Sequence, residues 1–309
     1  MSTKKVYSLL IVAVIFWGTS FATAKVGMGD LAPAHFLFLR IFFAAIAFFF
    51  ILRRMEPEKR KLHKEDFPYM MYLGFMGFIG YFIVQYTALH FTSTVNASLI
   101  VGIAPIIIAV YGTIFLKEEL NIYRILGMML CFIGILAIIT KGQLGGLFKS
   151  KTLFGDFLMI LDAGMMAAFS IGSKSILEKY DPFIAIAHIN TASLVLLIPI
   201  ILIPNSLSPV SFIYVISKLS IKNILGALYL AITCTVIGYY GWYIGIKEIG
   251  ASRTAVFNYI NPLVTSIVSM VMFQEDLSIF TLLGGIGIII GVSLNNMKIS
   301  LGKRSGRAS

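Results

Sequence analysis

Apolar stretches of about 20 residues recur along the chain, parted by short polar breaks. A helix of that length rises about 30 Å, the thickness of the hydrocarbon layer of a bilayer. The pattern predicts roughly ten helices, near residues 6–26, 34–52, 68–89, 94–116, 122–140, 154–173, 184–203, 223–246, 252–273 and 278–297. The expected fold class is therefore an all-α integral membrane protein of about ten transmembrane helices.

One part of this pattern returns. Tyr86, Pro105, Glu118, Gly127 and Gly134 reappear as Tyr243, Pro262, Glu275, Gly284 and Gly291, each pair 157 positions apart. Internal self-similarity in apolar sequence marks a duplicated membrane unit, and in transporters built this way the substrate site lies where the copies meet. Pro105 falls in the fourth predicted span and Pro262 in the ninth. An odd number of crossings separates them, so the copies are expected to be inverted. The starts of the halves match at a shorter offset of 149, which aligns Lys25 and Pro33 with Lys174 and Pro182. Extra loop in the second half, between Pro204 and Asn223, accounts for the difference. The chain divides into a first five-helix repeat over 1–147, a second over 148–298 and a basic cytoplasmic tail over 299–309.

Composition sharpens the class: 58% of residues are hydrophobic, 13% are charged and the mean hydropathy is +0.91. Soluble domains carry about 25% charged residues. A net charge of +11 would point to nucleic acid if the cations shared one soluble face. Instead most of them, including Lys4, Lys5, Arg53, Arg54, Lys117, Arg124, Lys174, Lys179, Lys247 and Arg253, fall in every second interhelical break. The positive-inside rule then places both termini in the cytoplasm of a multi-pass protein of the cell membrane, and no nucleic-acid partner is expected. Lys4 and Lys5 before an apolar run and Ala22-Thr23-Ala24 imitate a signal peptide, but the run is long for one. Cys131 and Cys234 both lie inside apolar spans and read as buried thiols, so neither a disulfide nor a metal site is expected.

Several polar or helix-breaking residues fall inside the spans. Pro105 and Pro262 are helix breaks that free the carbonyls of Val101 and Asn258. Exposed backbone at membrane depth is tolerated where it lines a cavity, although plain packing kinks remain the alternative. Asn258, Tyr259 and Asn261 crowd the turn before Pro262 with amides and an aromatic ring. Asp162, midway along the sixth span, costs about 2.5–3.5 kcal/mol on insertion scales if ionised, so it must face the bundle interior or be protonated. It is a candidate for a substrate ammonium or a coupling proton; a protonated carboxyl bonded to a neighbouring helix is the plain alternative.

Trp17, Phe21, Tyr81, Gln85, Tyr86, Tyr239 and Tyr243 carry aromatic and amide groups on three spans, with i to i+4 pairs sharing a face. They are candidates for a cavity wall or for lipid-interface anchors. Arg40 reads first as a snorkelling or helix-end cation, with pairing to a substrate carboxylate as the alternative because a guanidinium cannot shed its charge; His188 and Asn190 are similarly ambiguous and are read as structural. Glycines at 74, 77 and 80, at 238, 241 and 245, and at 284, 287 and 291 form packing surfaces. Glu118 and Glu275 precede helices and suit helix N-termini at the water interface. The candidate substrate set is Trp17, Gln85, Tyr86, Asp162, Tyr243, Asn258, Tyr259 and Asn261.

Phe16-Trp17-Gly18-Thr19-Ser20-Phe21 ahead of Lys25, followed by Pro33 and Arg40, resembles the opening of the EamA family of the drug/metabolite transporter superfamily. Ala104-Pro105, Leu116-Lys117-Glu118-Glu119-Leu120 and Gly127 resemble the end of the family's half, and Asn261-Pro262 with Glu275 and Gly284 repeats it. Met166 departs from the pattern, since tryptophan is usual there. The resemblance implies ten helices and export of small metabolites, often amino acids or related compounds, by alternating access. A small-molecule substrate and the lipid bilayer are the partners it implies; protons and a homodimer stay open. An uptake permease of the same fold is the nearest alternative. No cofactor is expected, because no Walker-type loop occurs. A membrane-embedded enzyme would need a nucleophile with a base or a metal-ligand cluster, and neither pattern is visible. A channel without a transport cycle is disfavoured by inverted halves, which supply two exchanging states.

Overall fold

The computed structural model describes residues 1–58, 60–88, 91, 100–118, 121–140, 153–203, 210, 212–273 and 279–296. Among them every regular element is a helix. In chain order these are α1 (Thr3–Met28), α2 (Pro33–Arg53), α3 (Lys64–Ala88), α4 (Ala104–Leu116), α5 (Ile122–Thr140), α6 (Leu153–Lys179), α7 (Pro182–Leu202), α8 (Ile221–Ile249), α9 (251–273) and α10 (Ile279–Asn296), with a short helix Phe212–Ser217 ahead of α8. Five of them, α2, α3, α6, α7 and α8, are long and apolar enough to cross a membrane, and shorter apolar helices lie in α4, α5 and α10.

Local chemistry sets the boundaries. Pro33 and Pro182 open α2 and α7, where a fixed φ suits the first turn and a missing amide proton is harmless. Asp181 caps α7 by accepting from Phe183 N at 2.9 Å. Gly29, at φ +52, ends α1 in a conformation that side chains rarely adopt. Ser220 and Asn223 form a reciprocal cap on α8, and Asn223 Nδ2 also donates to Gly27 O at 2.7 Å, tying α8 to the end of α1.

Two pairs of antiparallel helices meet at matching positions of the halves. In α5 and α10, Gly127 faces Gly291 and Gly134 faces Gly284, so closely that a Cβ on Gly127 would lie 2.6 Å from Gly291 O. Between these crossings Cys131 Sγ donates to Ile288 O at 3.5 Å, and 131 and 288 differ by 157. In α2 and α7, Asn190 Nδ2 donates to Ile41 O at 3.2 Å, and these positions differ by 149. Around these pairs α1 packs on α8 and α9, and α6 packs on α3 and α4.

Among the described residues two helices carry π stretches, Phe75–Ile79 in α3 and Leu230–Gly238 in α8. A shift of 157 moves the first inside the second. A π turn disturbs the regular ladder, and π turns gather at functional sites. At equivalent positions in the two stretches a side chain from another helix takes up a carbonyl: Tyr239 Oη donates to Gly77 O at 2.9 Å, and Trp17 Nε1 donates to Cys234 O at 3.0 Å.

On the face that carries the starts of α1, α3 and α9, polar contacts join the helix ends. Lys179 Nζ donates to Asp66 Oδ1 at 2.6 Å and Tyr180 Oη to Asp66 Oδ2 at 2.8 Å. Lys117, left-handed at φ 53, ends α4 and turns Glu118 toward the other half. Glu118 accepts from Ala251 N at 2.8 Å and Ser252 N at 3.1 Å. The glutamate thus serves a helix N-terminus, but that of α9 rather than of the helix that follows it in sequence. Glu275 lies outside the described residues.

Candidate functional site

The two proline-bearing helices break as the sequence requires, at different depths in their segments. Pro105 sits in the first turn of α4, after a turn closed by Ile103 N donating to Ile100 O at 2.9 Å. Pro262 is the third residue of Ile260–Phe273, which follows a 3₁₀ turn at Val256–Tyr259. Both breaks open on one cavity, with roughly 930 Å³ of atom-free space, part of it open to solvent.

Its walls come from both halves. The breaks contribute Val101, Gly102, Ala104 and Pro105 on one side and Asn258, Tyr259, Asn261 and Pro262 on the other. Helix α1 adds Trp17 and Ser20, α2 adds Arg40, α3 adds Tyr81, Phe82 and Gln85, α6 adds Asp162 and Met166, and α8 adds Tyr239. Trp17 is fixed by its bond to Cys234 O and lies with its ring 5.4 Å from that of Tyr239. Thr265 Oγ1 donates to Gly18 O at 2.9 Å, which clamps α9 against α1.

Two ionisable side chains of opposite sign, Asp162 and Arg40, stand in this wall. Asp162 is fully buried; Gln85 Nε2 donates to its Oδ2 at 3.3 Å and also reaches Tyr81 Oη at 3.1 Å, while Asp162 Oδ1 has no hydrogen-bond partner among the described residues. Arg40 is 3% exposed, donates from Nε to Thr235 Oγ1 at 2.9 Å and lies over the Phe82 ring at 4.2 Å. Neither has an ion-pair partner among the described residues. Neutral acceptors and donors extend the polar surface: Asn261 Nδ2 donates to Asn258 Oδ1 at 3.3 Å, and Asn261 Oδ1 and Tyr259 Oη have no partner among the described residues.

Of the residues singled out from sequence, Trp17, Gln85, Asp162, Asn258, Tyr259, Asn261, Pro105 and Pro262 line this cavity. Tyr86 and Tyr243 do not. Tyr86 stands behind Arg40, with which its hydroxyl interacts. Tyr243 lies in the core, its hydroxyl 2.7 Å from Ser173 Oγ and its ring stacked on Phe169 at 5.6 Å. It is one turn further along α8 than Tyr239, and at that depth α6 already closes the space. Tyr243→Phe is accordingly expected to lower stability by about 1 kcal/mol through the lost buried bond and to leave half-saturation for substrate unchanged. Thermal melts and flux titrations of the purified variant check both, and a raised half-saturation would contradict this position.

Arg40 departs from the first of its two sequence readings. It does not snorkel: its guanidinium turns inward and reaches the π stretch of α8. The available signal was the comparison of halves, since position 189, its counterpart at offset 149, is Ile. Tyr81, Phe82, Ser20, Tyr239 and Thr265 also join the wall, and of these the aromatic pattern had flagged Tyr81 and Tyr239. His188 Nε2 lies 3.2 Å from Arg60 O, a structural contact. Among the described residues no group of three or more metal-ligating side chains occurs.

Comparison with known proteins agrees with this geometry. The family model described as the EamA-like transporter family matches residues 4–140 and 153–297. An "Uncharacterized transporter" of Archaeoglobus fulgidus is 30% identical over 298 residues, covering 96% of this chain and 98% of its own. "Uncharacterized transporter YyaM" of Bacillus subtilis is 30% identical over 294 residues, covering 94% and 93%. A "Probable terminal-alkyne amino-acid exporter" of Streptantibioticus cattleyicolor is 21% identical over 305 residues, covering 98% and 97%. A solved crystal structure shares the fold, with a TM-score of 0.76 at 19% identity over 96% of this chain and 97% of that one.

Proposed function

The chain belongs to the EamA-like transporter family, and from that membership we propose that it is a secondary transporter exporting small metabolites, such as amino acids or related compounds, by alternating access. It is a multi-pass membrane transporter and not an enzyme. The observation that carries the finer reading is the single cavity onto which the helix breaks of both halves open, at Val101–Pro105 and Asn258–Pro262. Freed backbone and half-helix ends around a cavity are how transporters meet polar substrates at membrane depth.

The reading includes ten spans arranged as two inverted repeats, with both termini cytoplasmic. Contacts between equivalent positions, Cys131 with Ile288 and Ile41 with Asn190, support it, because residues on a two-fold axis touch their own counterparts. Two related halves can exchange conformations, which opens one cavity to each side of the membrane in turn. The exporter named for terminal-alkyne amino acids supports the substrate class.

Reconstituted protein is expected to move labelled amino acids across liposome membranes at a rate that saturates and is accelerated by unlabelled substrate on the opposite side. Flux linear in concentration would overturn the carrier reading. Direction is read in cells: expression is expected to lower the accumulation of a substrate identified in liposomes, and a rise would reverse the assignment to uptake.

A further inference from the structure

We propose that Asp162 and Arg40 are the two charge poles of the substrate site, Asp162 receiving a free ammonium group and Arg40 a carboxylate, so that the cavity selects compounds carrying both. This rests on the transport reading and deepens it. Both groups line the same cavity, both are more than nine-tenths buried, and neither meets an opposite charge among the described residues. Asp162 Oδ1 lacks even a neutral partner.

A buried carboxylate and a buried guanidinium each carry a large desolvation penalty unless paired. The fold does not pair them with each other; it holds each separately, Asp162 through Gln85 and Arg40 through Thr235, Tyr86 and the face of Phe82. An occupant with the reversed pair of charges satisfies both poles at once. A simple amine would leave Arg40 uncompensated and a simple carboxylate would leave Asp162 so, which makes discrimination depend on both ends of one molecule. The same cavity is lined by Trp17, Met166, Ile135 and Tyr239, which offer apolar surface to a side chain.

Neither pole comes from the duplication. At offset 149 the counterpart of Asp162 is Ala13 and that of Arg40 is Ile189. Each charge therefore stands in one half only, as expected of residues that choose a substrate rather than drive the exchange of halves.

The test uses purified full-length protein and ligand-induced thermal stabilisation across the twenty common L-amino acids. For each amino acid that stabilises, two analogues with the same side chain are compared: the 2-hydroxy acid, which lacks the ammonium, and the amine, which lacks the carboxylate. In the wild type both analogues are expected to bind about 30-fold more weakly or worse, since each leaves a buried charge unpaired. In Asp162→Asn the preference for the amino acid over the hydroxy acid is expected to collapse toward 1, with its preference over the amine retained. A purely structural Asp162 would alter stability without changing that ratio. The proposal is overturned if the wild type binds the hydroxy acid as well as the amino acid, if Asp162→Asn keeps the preference, or if none of the twenty binds. The analogue comparison needs no variant, so a poorly folding Asp162→Asn leaves it decisive. Saturable transport of compounds lacking an ammonium would sink the charge poles and spare the transport reading; tight binding of amino acids without flux would do the reverse.

Discussion

Gly134→Leu is expected to leave little folded protein after extraction from the membrane, with any remaining fraction destabilised by about 3 kcal/mol or more. The reason lies in what the new side chain would meet. A Cβ on Gly134 would stand 2.6 Å from Gly284 O, 2.9 Å from Ile288 Cγ1 and 3.3 Å from Ile288 N. Two of those atoms are backbone and cannot rotate aside. Helices α5 and α10 would have to separate along the seam where Gly127 meets Gly291 and Cys131 meets Ile288. Within a bilayer no hydrophobic force compensates, because lipid is as apolar as the partner helix; association depends on close backbone approach and the dispersion contacts it permits. Gly287→Ala is the control on the same seam face, since its nearest neighbours are 3.8 Å away, and it is expected to be neutral. Size-exclusion profiles and thermal melts of the two variants in detergent decide the matter. A monodisperse Gly134→Leu with the wild-type melting temperature would refute the packing account.

The sequence foretold helices better than it foretold facing. Apolar runs of bilayer length locate the helices because hydrocarbon admits little else, and a constant offset of 157 is arithmetic that survives without coordinates. The helix breaks were legible for a similar reason: proline forces a local departure from the ladder wherever it falls. Facing is different. A lone arginine a few residues into a span has the same sequence signature whether it reaches for the interface or turns inward. For Arg40 the decision comes from Thr235, set within the π stretch of α8. No period of 3.6 announces that stretch. Likewise Tyr239 and Tyr243 share a face but not a depth, so one meets the cavity and the other the Phe169 ring. Glu118 was assigned to a helix N-terminus on sound electrostatic grounds, yet which N-terminus depends on how the halves pack. Chemistry at membrane depth was the better guide: Asp162 stood out as an acid midway along a span and Asn258 as an amide in the turn before Pro262, whereas the arginine near the start of its span gave no such signal.

Arg40→Gln is expected to raise half-saturation for the transported amino acid at least about tenfold while leaving the melting temperature of the empty protein equal to the wild type or above it, a loss of roughly 1.4 kcal/mol or more in binding. The two effects have opposite signs because the guanidinium is unfavourable where it stands. It cannot shed its charge by losing a proton. At 3% exposure it has the neutral hydroxyls of Thr235 and Tyr86 and one aromatic face to offset its lost hydration, and no carboxylate among the described residues. Glutamine retains a donor for Thr235 and removes the charge, and replacing a poorly compensated buried charge with a neutral group is commonly neutral or stabilising. A charge that costs stability where it stands is the trade-off expected at a binding site. Melting curves and flux titrations on one preparation measure both quantities. A fall in melting temperature with unchanged half-saturation would make Arg40 a brace between α2 and α8 and remove it from substrate recognition. A rise in half-saturation confined to substrates that carry a carboxylate would tie the arginine to that end of the molecule, because a general distortion of the cavity would weaken the decarboxylated amine as well.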